Sequence, residues 1–242
     1  MNDATEPVYT DTRWSTLGLI AALAVFVVLA EVGIWSTFLE IDFLRHSMAR
    51  GEIVESHLLA NDRRQALVGG FQLLAFVLSA VLLVRWVYLT NRNAHALEGT
   101  GMNHGPAAAA VSFLVPGLHV WKPLRVLSEL FRVSHPDHIR DWQRAPVPHL
   151  LSLWWTLWIL FQLTTALALG ADFWASGVQQ LHVAAWGSAV AGVVGAPLGV
   201  AASIGAWRLH ALQRERFRRT APMRLRQPYP TRTAESGESV HS

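Results

Sequence analysis

Four apolar runs, Ser15 to Phe38, Ala66 to Thr90, Leu150 to Ala171 and Leu181 to Leu209, constrain this chain more than any other feature. Each can cross a hydrocarbon core of roughly 30 Å at about 1.5 Å of rise per residue. Lipid offers backbone N–H and C=O groups no partner, so such runs must be helical. The expected fold is all-α: an integral membrane four-helix bundle, with an additional re-entrant or interfacial helical segment between spans two and three.

Composition points the same way. Hydrophobic residues make up 52% of the chain and charged residues 15%, and the apolar ones are blocked together. A soluble helix would break such runs with polar residues every turn. Cysteine is absent, which excludes disulfides, thiolate metal sites and cysteine nucleophiles. The acidic tail before the first run, with Asp3, Glu6 and Asp11 against Arg13, is unlike a signal peptide, so that run reads as an uncleaved anchor.

Arginine-rich short segments favour the cytoplasm. The chain from Arg208 onward holds eight arginines, whereas the connection Asp172 to Gln180 holds no cation. This sets out a cytoplasmic N-terminal tail (1–14), a first span pair (15–90) with an external loop (39–65), and a cytoplasmic segment (91–149). A second span pair (150–209) and a basic, disordered cytoplasmic tail (210–242) follow. The expected location is a bacterial cytoplasmic membrane.

The middle segment is the ambiguous one. Its apolar part, Pro106 to Leu118, is too short to span comfortably. A fifth span would place Lys122, Arg125 and Glu129 in or near the core at up to ~2.5–3.5 kcal/mol each. Pro116 and Pro123 would each remove a backbone donor as well. Four spans with a re-entrant or interfacial helix at 106–133 cost less. From Leu118 onward, Val120, Leu124, Leu127 and Phe131 share one helical face, with Trp121 beside them. Lys122, Arg125, Glu129 and Arg132 occupy the other, a pattern suited to a headgroup boundary or to packing on the bundle. Trp14, Trp86, Trp154, Trp155 and Trp207 near one set of ends, and Trp35 and Trp174 near the other, suit the same boundary.

Within the spans, Gly187, Ala191, Gly195, Gly199 and Ser203 repeat every four residues and predict a flat stripe for close helix approach. Packing inside the bundle is the first expectation and homodimerisation its rival. Gly69 and Gly70 are the expected matching surface, and Pro197 is expected to kink the helix. Glu31 and Gln72 lie at similar depth, where they can share a proton or hydrogen bond; Gln162 sits near the middle of the third run. Polar residues in spans are the default place to look for function, but a transport path usually needs more of them.

His135-Pro136-Asp137 spells the J-domain tripeptide without the flanking soluble helices, and reads as coincidence. His135, Asp137 and His138 lack a fourth donor at helical spacing, so no metal or cofactor is expected. No phosphate-binding loop, dinucleotide fingerprint or nucleophile elbow is present. The arginine-rich tail suits anionic lipid headgroups. Without interleaved stacking aromatics it does not suit nucleic acid.

Several pieces recur in one known group. Arg85-Trp86 ends the second run, followed by Arg92-Asn93-Ala94, Pro106, Phe113-Leu114-Val115-Pro116, Trp121-Lys122-Pro123 and Leu127 to Arg132. Together they resemble the bacterial membrane proteins of domain of unknown function 4328, over about Ala66 to Ile159, with Trp154 and Trp155 matching a downstream tryptophan pair. The Pro-led stretch departs by being alanine-rich, and His119 replaces a small polar residue. The resemblance implies a membrane module with no established activity. Its motif residues are Trp86, Arg92, Asn93, Pro106, Pro116, Trp121 and Pro123, with Asn93 expected to cap or bridge carbonyls near the turn. The leading functional expectation is a non-enzymatic scaffold or partner-binding module acting through Asn91 to Arg144 and the tail. Its rivals are a small transporter or channel using Glu31, Gln72 and Gln162, and a lipid-active enzyme using His119, His135 or Asp137.

Overall fold

The computed structural model describes residues 8–52, 54–97, 101–115 and 117–224, with side chains as far as residue 221. Every regular element among them is helical: α1 Arg13–Arg50, α2 Glu55–Ala96, α3 Pro106–Val111, α4 Leu118–Val133, a 3-10 turn Trp142–Arg144, α5 His149–Phe173 and α6 Val178–Arg224. Helices α1, α2, α5 and α6 are each long and apolar enough to cross a membrane. At about 1.5 Å per residue, α1 and α2 run for some 55–65 Å and α6 for about 70 Å, well beyond a 30 Å core.

That surplus corrects two expectations. Residues 39–50 and 55–65 are helix ends, and just past the first of them Gly51 adopts φ 71° and returns its N–H to the Ser47 carbonyl. Ile41 and Leu44 carry the helix on by packing against Ala185 of α6. On the α2 side, Arg64 donates to Ser36 and Asn61, and Gln65 donates to Glu40 at 2.6 Å. The segment is amphipathic, so it interrupts hydropathy without interrupting helix. Likewise, residues 210–224 continue α6, because Leu209, Gln213, Arg216 and Thr220 recur at helical spacing and are all buried. The remainder of the expected disordered tail lies outside the described residues.

The helices pack in the order α2, α1, α6, α5. The ring closes between α5 and α2 through side chains: Phe26, Phe76 and Phe161 meet with centroids 6.1–6.3 Å apart. At one end the buried half of α4, from Val126 to Val133, fills the gap among α2, α5 and α6.

The small-residue positions of α6 do not form one flat stripe. Four residues overshoot a helical turn by about 40°, so Gly187 and Gly199 lie roughly 120° apart around the axis. A Cβ on Gly187 would meet Ala168 of α5 at 3.3 Å, and one on Gly199 would meet Val27 of α1 at 2.6 Å. Gly195 touches both neighbours, through Phe161 at 3.2 Å and Phe26 at 3.6 Å. Gly192, outside the four-residue series, joins the α1 contact against Ile34 at 2.6 Å. The pairs Gly192/Ile34 and Gly199/Val27 run antiparallel, seven residues apart on both helices. Ala191 is buried, and Ser203 turns its hydroxyl back to the Gly199 carbonyl. Gly69 and Gly70 face open space and are not the matching surface. Helix α6 runs unbroken through Pro197.

The tryptophans divide. Trp86 and Trp154 are 3% and 7% exposed and belong to the core, which corrects their expected boundary role. Trp14 and Trp174 near helix ends, and Trp35 and Trp207 near the ends of the apolar runs within α1 and α6, are exposed, as suits indole at a membrane boundary.

Two substitutions test this packing. Gly199→Leu should cost about 1–3 kcal/mol by overpacking, and Gly33→Ala, whose methyl displaces the Gln72 amide from the Leu29 carbonyl, about 1 kcal/mol. Gly69→Ala and Gly70→Ala should be neutral or slightly stabilising, since alanine is the better helix former by about 1 kcal/mol. Apparent melting temperature in detergent is the measurement.

Candidate functional site

Besides the Arg64, Gln65 and Glu40 network at the α1–α2 turn, a larger set of polar side chains gathers at the opposite end of the bundle, where α2 ends and α6 projects. The segment before α1 is bound there first. Asn93, fully buried, accepts the Thr10 backbone N–H at 3.0 Å and donates to the Thr10 carbonyl at 2.7 Å, mimicking a strand pairing with one amide. Its partner is therefore the N-terminal segment rather than the expected turn carbonyls. Thr12 meets His210 Nδ1 at 3.2 Å, Trp86 donates its indole N–H to Thr16 at 3.0 Å, and the Tyr9 ring stacks on Phe217 at 4.2 Å. Burial holds the Tyr9 phenol above its ordinary pKa, assisted by Asp11 and opposed by Arg214.

Arg216 of α6 is the centre of this end. It is 0% exposed, and its guanidinium donates to four carbonyls: His135 and His138 from Nη1, Leu97 and Ile139 from Nη2, at 3.2–3.4 Å. One planar fork thus joins the end of α2 and the loop after α4 to α6. One turn further, Arg219 pairs with Asp137 at 2.6 Å and with Glu215 at 2.9 Å. The His-Pro-Asp loop is thereby a docking element for α6, through a backbone carbonyl and a carboxylate. Gln213, one turn before Arg216, donates to the Thr90 carbonyl at 2.9 Å.

The middle segment forms a helical hairpin. Pro106 opens α3 where its missing N–H costs nothing, and Ala109 and Ala110 bury against α2. Helix α4 starts beside α5: His119 meets Trp158 edge-on at 6.5 Å, and Trp155 donates to the Val120 carbonyl at 2.8 Å. By Phe131 it has reached the level of Leu150 and Leu151, with which it lines one apolar cavity. The hairpin tip therefore dips about nine residues into α5 and its other end emerges. Val111, Leu114, Val120 and Trp121 around the tip are exposed apolar residues, and Pro123 is buried within α4. Pro116 lies outside the described residues, and Arg92 is half-buried at the end of α2.

Glu129, 7% exposed, holds the loop before α3. It accepts the Asn103 backbone N–H at 2.6 Å and side-chain amide at 3.1 Å, and meets His104 Nδ1 at 2.9 Å. His95 donates to the His104 carbonyl at 3.3 Å. Between this loop and α4 runs an open groove of ≈ 730 Å³ bordered by Lys122, Arg125 and Arg132.

The intramembrane polar residues do not converge. Gln72 donates to the Leu29 carbonyl at 3.1 Å, a contact that the missing side chain of Gly33 makes room for. Glu31 is exposed on the outside of α1, and Gln162 is half-buried on α5. Among the described residues, no three His, Asp or Glu side chains cluster as metal ligands. Nothing in hydropathy marks Arg216, Glu129, Thr10 or His210. The one sequence signal for Arg216 is the helical spacing of Leu209, Gln213, Arg216 and Thr220.

Removing Arg216 should undo this end. Arg216→Met leaves four carbonyls short of a charged donor, an expected loss of about 3 kcal/mol or more, with new protease sensitivity at 134–145. Asn93→Ala should cost about 1–3 kcal/mol and free the Thr10 segment first. Limited proteolysis of the membrane-embedded chain, with mapping of the cuts, separates the two.

No curated protein and no solved structure proved similar to the chain. The model of one family, the domain of unknown function DUF4328, matches residues 51–209, which runs from the turn before α2 to the apolar end of α6. That is wider than the motif region 66–159 and takes in α2 through α5 with the hairpin between them. Helix α1 and the α6 extension lie outside it, so Asn93 and Leu97 sit within the matched region while their partners Thr10 and Arg216 do not. With most of its length so matched, this membrane-helix protein belongs to the DUF4328 family.

Proposed function

We propose that the protein is a non-enzymatic partner-binding module of a bacterial cytoplasmic membrane, with the Asn93 end of the bundle as its cytoplasmic binding face. One observation carries this reading. Polar groups converge at that end into a fixed platform organised by Arg216, whereas Glu31, Gln72 and Gln162 stand apart from one another. Binding surfaces are commonly loops held by a rigid scaffold. The loop 134–145 fits that description, since its carbonyls and Asp137 are pinned to α6 while Arg140, Asp141, Gln143 and Arg144 remain exposed.

A transport path is less well supported. Gln72 is occupied by a helix carbonyl and Glu31 points away from the bundle interior. Lipid chemistry is also less well supported, because His119 packs on Trp158 at the hairpin tip and Asp137 is engaged by Arg219. The arginines on the outer turns of α6, Arg214 and Arg218, are exposed and suit anionic headgroups or an acidic partner surface.

Photo-crosslinking in intact cells tests the proposal. Probes at Arg140 and Arg218 should each yield a discrete protein adduct, a second copy of this chain included. A probe at Leu73 on the outside of α2 should yield lipid adducts alone. Adducts from Arg140 and Arg218 no different from those of Leu73 would remove the proposal.

A further inference from the structure

Helix α4 places three cations on one arc. At about 100° per residue, Lys122, Arg125 and Arg132 fall within roughly 80° of one another, and Glu129 falls among them. Glu129 is the one acid lining the groove, and its carboxylate is already filled by Asn103 and His104. Lys122, Arg125 and Arg132 enter no ion pair among the described residues. Among the described residues the groove therefore concentrates positive charge without ion-pair partners, with Arg125 and Arg132 exposed.

Depth supplies the second half of the argument. The start of α4 is level with Trp158 and Trp155 of α5, and its later turns are level with the first residues of that helix. Lys122 to Arg132 covers about 15 Å of helix, and a headgroup layer is only roughly 5–7 Å thick, so a layer meeting the first turns of α5 would lie among these cations. Below them the hairpin tip exposes Leu114 and Trp121, and at about 100° per residue Trp121 falls roughly 20° from Arg132 around α4. A ligand that satisfies both halves has a phosphate for the cations and an acyl chain for the tip.

We propose that this groove is a binding site for the phosphate headgroup of an anionic phospholipid, with Lys122, Arg125 and Arg132 as its ligands and Trp121 against the acyl chain. The site stands apart from the protein-partner reading, because lipid retention and protein crosslinking are read in separate experiments.

The test uses the full chain in detergent, with native mass spectrometry measuring affinity for phosphatidylglycerol, phosphatidylcholine of the same acyl chains, and inorganic phosphate. Phosphatidylglycerol should bind well above phosphatidylcholine. Lys122→Gln/Arg125→Gln/Arg132→Gln should weaken it about a hundredfold, at the usual contribution of a cation near a headgroup surface. The triple Arg45→Gln/Arg50→Gln/Arg63→Gln removes the same charge at the opposite end and should leave it unchanged. If the groove triple does not fold, Arg125→Gln alone should weaken binding roughly fivefold. Equal losses in both triples, or no preference over phosphatidylcholine, would overturn the site. Inorganic phosphate binding as tightly as the lipid would overturn the lipid as its ligand.

Discussion

A guanidinium withdrawn from water must replace its hydration with fixed acceptors, and Arg216 does so with four backbone carbonyls drawn from two separate segments. Those carbonyls are the ones that the end of α2 and the loop after α4 leave without helical partners. The same contact therefore solves two problems, the cation's and the chain ends'. It keeps α6 helical well past its apolar stretch and gives the loop 134–145 a single position. The platform, the α4 hairpin and the groove beside it all depend on that position.

The contrast between the two environments of this chain follows from their solvents. Within the apolar belt, cohesion comes from close approach, since lipid gives helices no hydrophobic reason to associate. Gly192 and Gly199 against α1, and Gly187 against α5, let backbones meet where any side chain would hold them apart. Gly33 does something similar for a polar group, admitting the Gln72 amide to the Leu29 carbonyl. Beyond the belt, cohesion is polar and directional: Asn93 on Thr10, Glu129 on the 103–104 loop, Arg219 on Asp137. Family membership covers α2 through the apolar part of α6. The clasps formed by Thr10 and Arg216 join that shared region to the chain on either side of it.

Much of this was legible in residue order, and the exceptions have physical causes. The four runs and the helical hairpin between the second pair and the first are visible because lipid demands long apolar stretches and prolines punctuate the rest. The 39–65 and 210–224 helices were not visible as helices, because amphipathic and polar stretches carry no membrane signal. Gly187 and Gly199 looked like one surface on a strict four-residue count. The 40° overshoot per step turns them to different neighbours, about 120° apart in all. Trp86 and Trp154 looked like boundary residues because indole is common there, yet packing against α4 and α6 took them inside.

By itself the sequence determined the solvent of this protein, its all-helical class, the number of long apolar helices and the family pattern of Trp86, Asn93, Pro106 and Trp121. Those properties depend on local composition and spacing, which a single chain displays in order. Only the tertiary structure decided that Asn93 meets Thr10, that Arg216 gathers the ends of two segments, and that Glu129 is filled by Asn103 and His104. Pairings of that kind join residues 25 to 119 positions apart. Polar groups have no periodic signature to announce a distant partner, so only the folded geometry selects it.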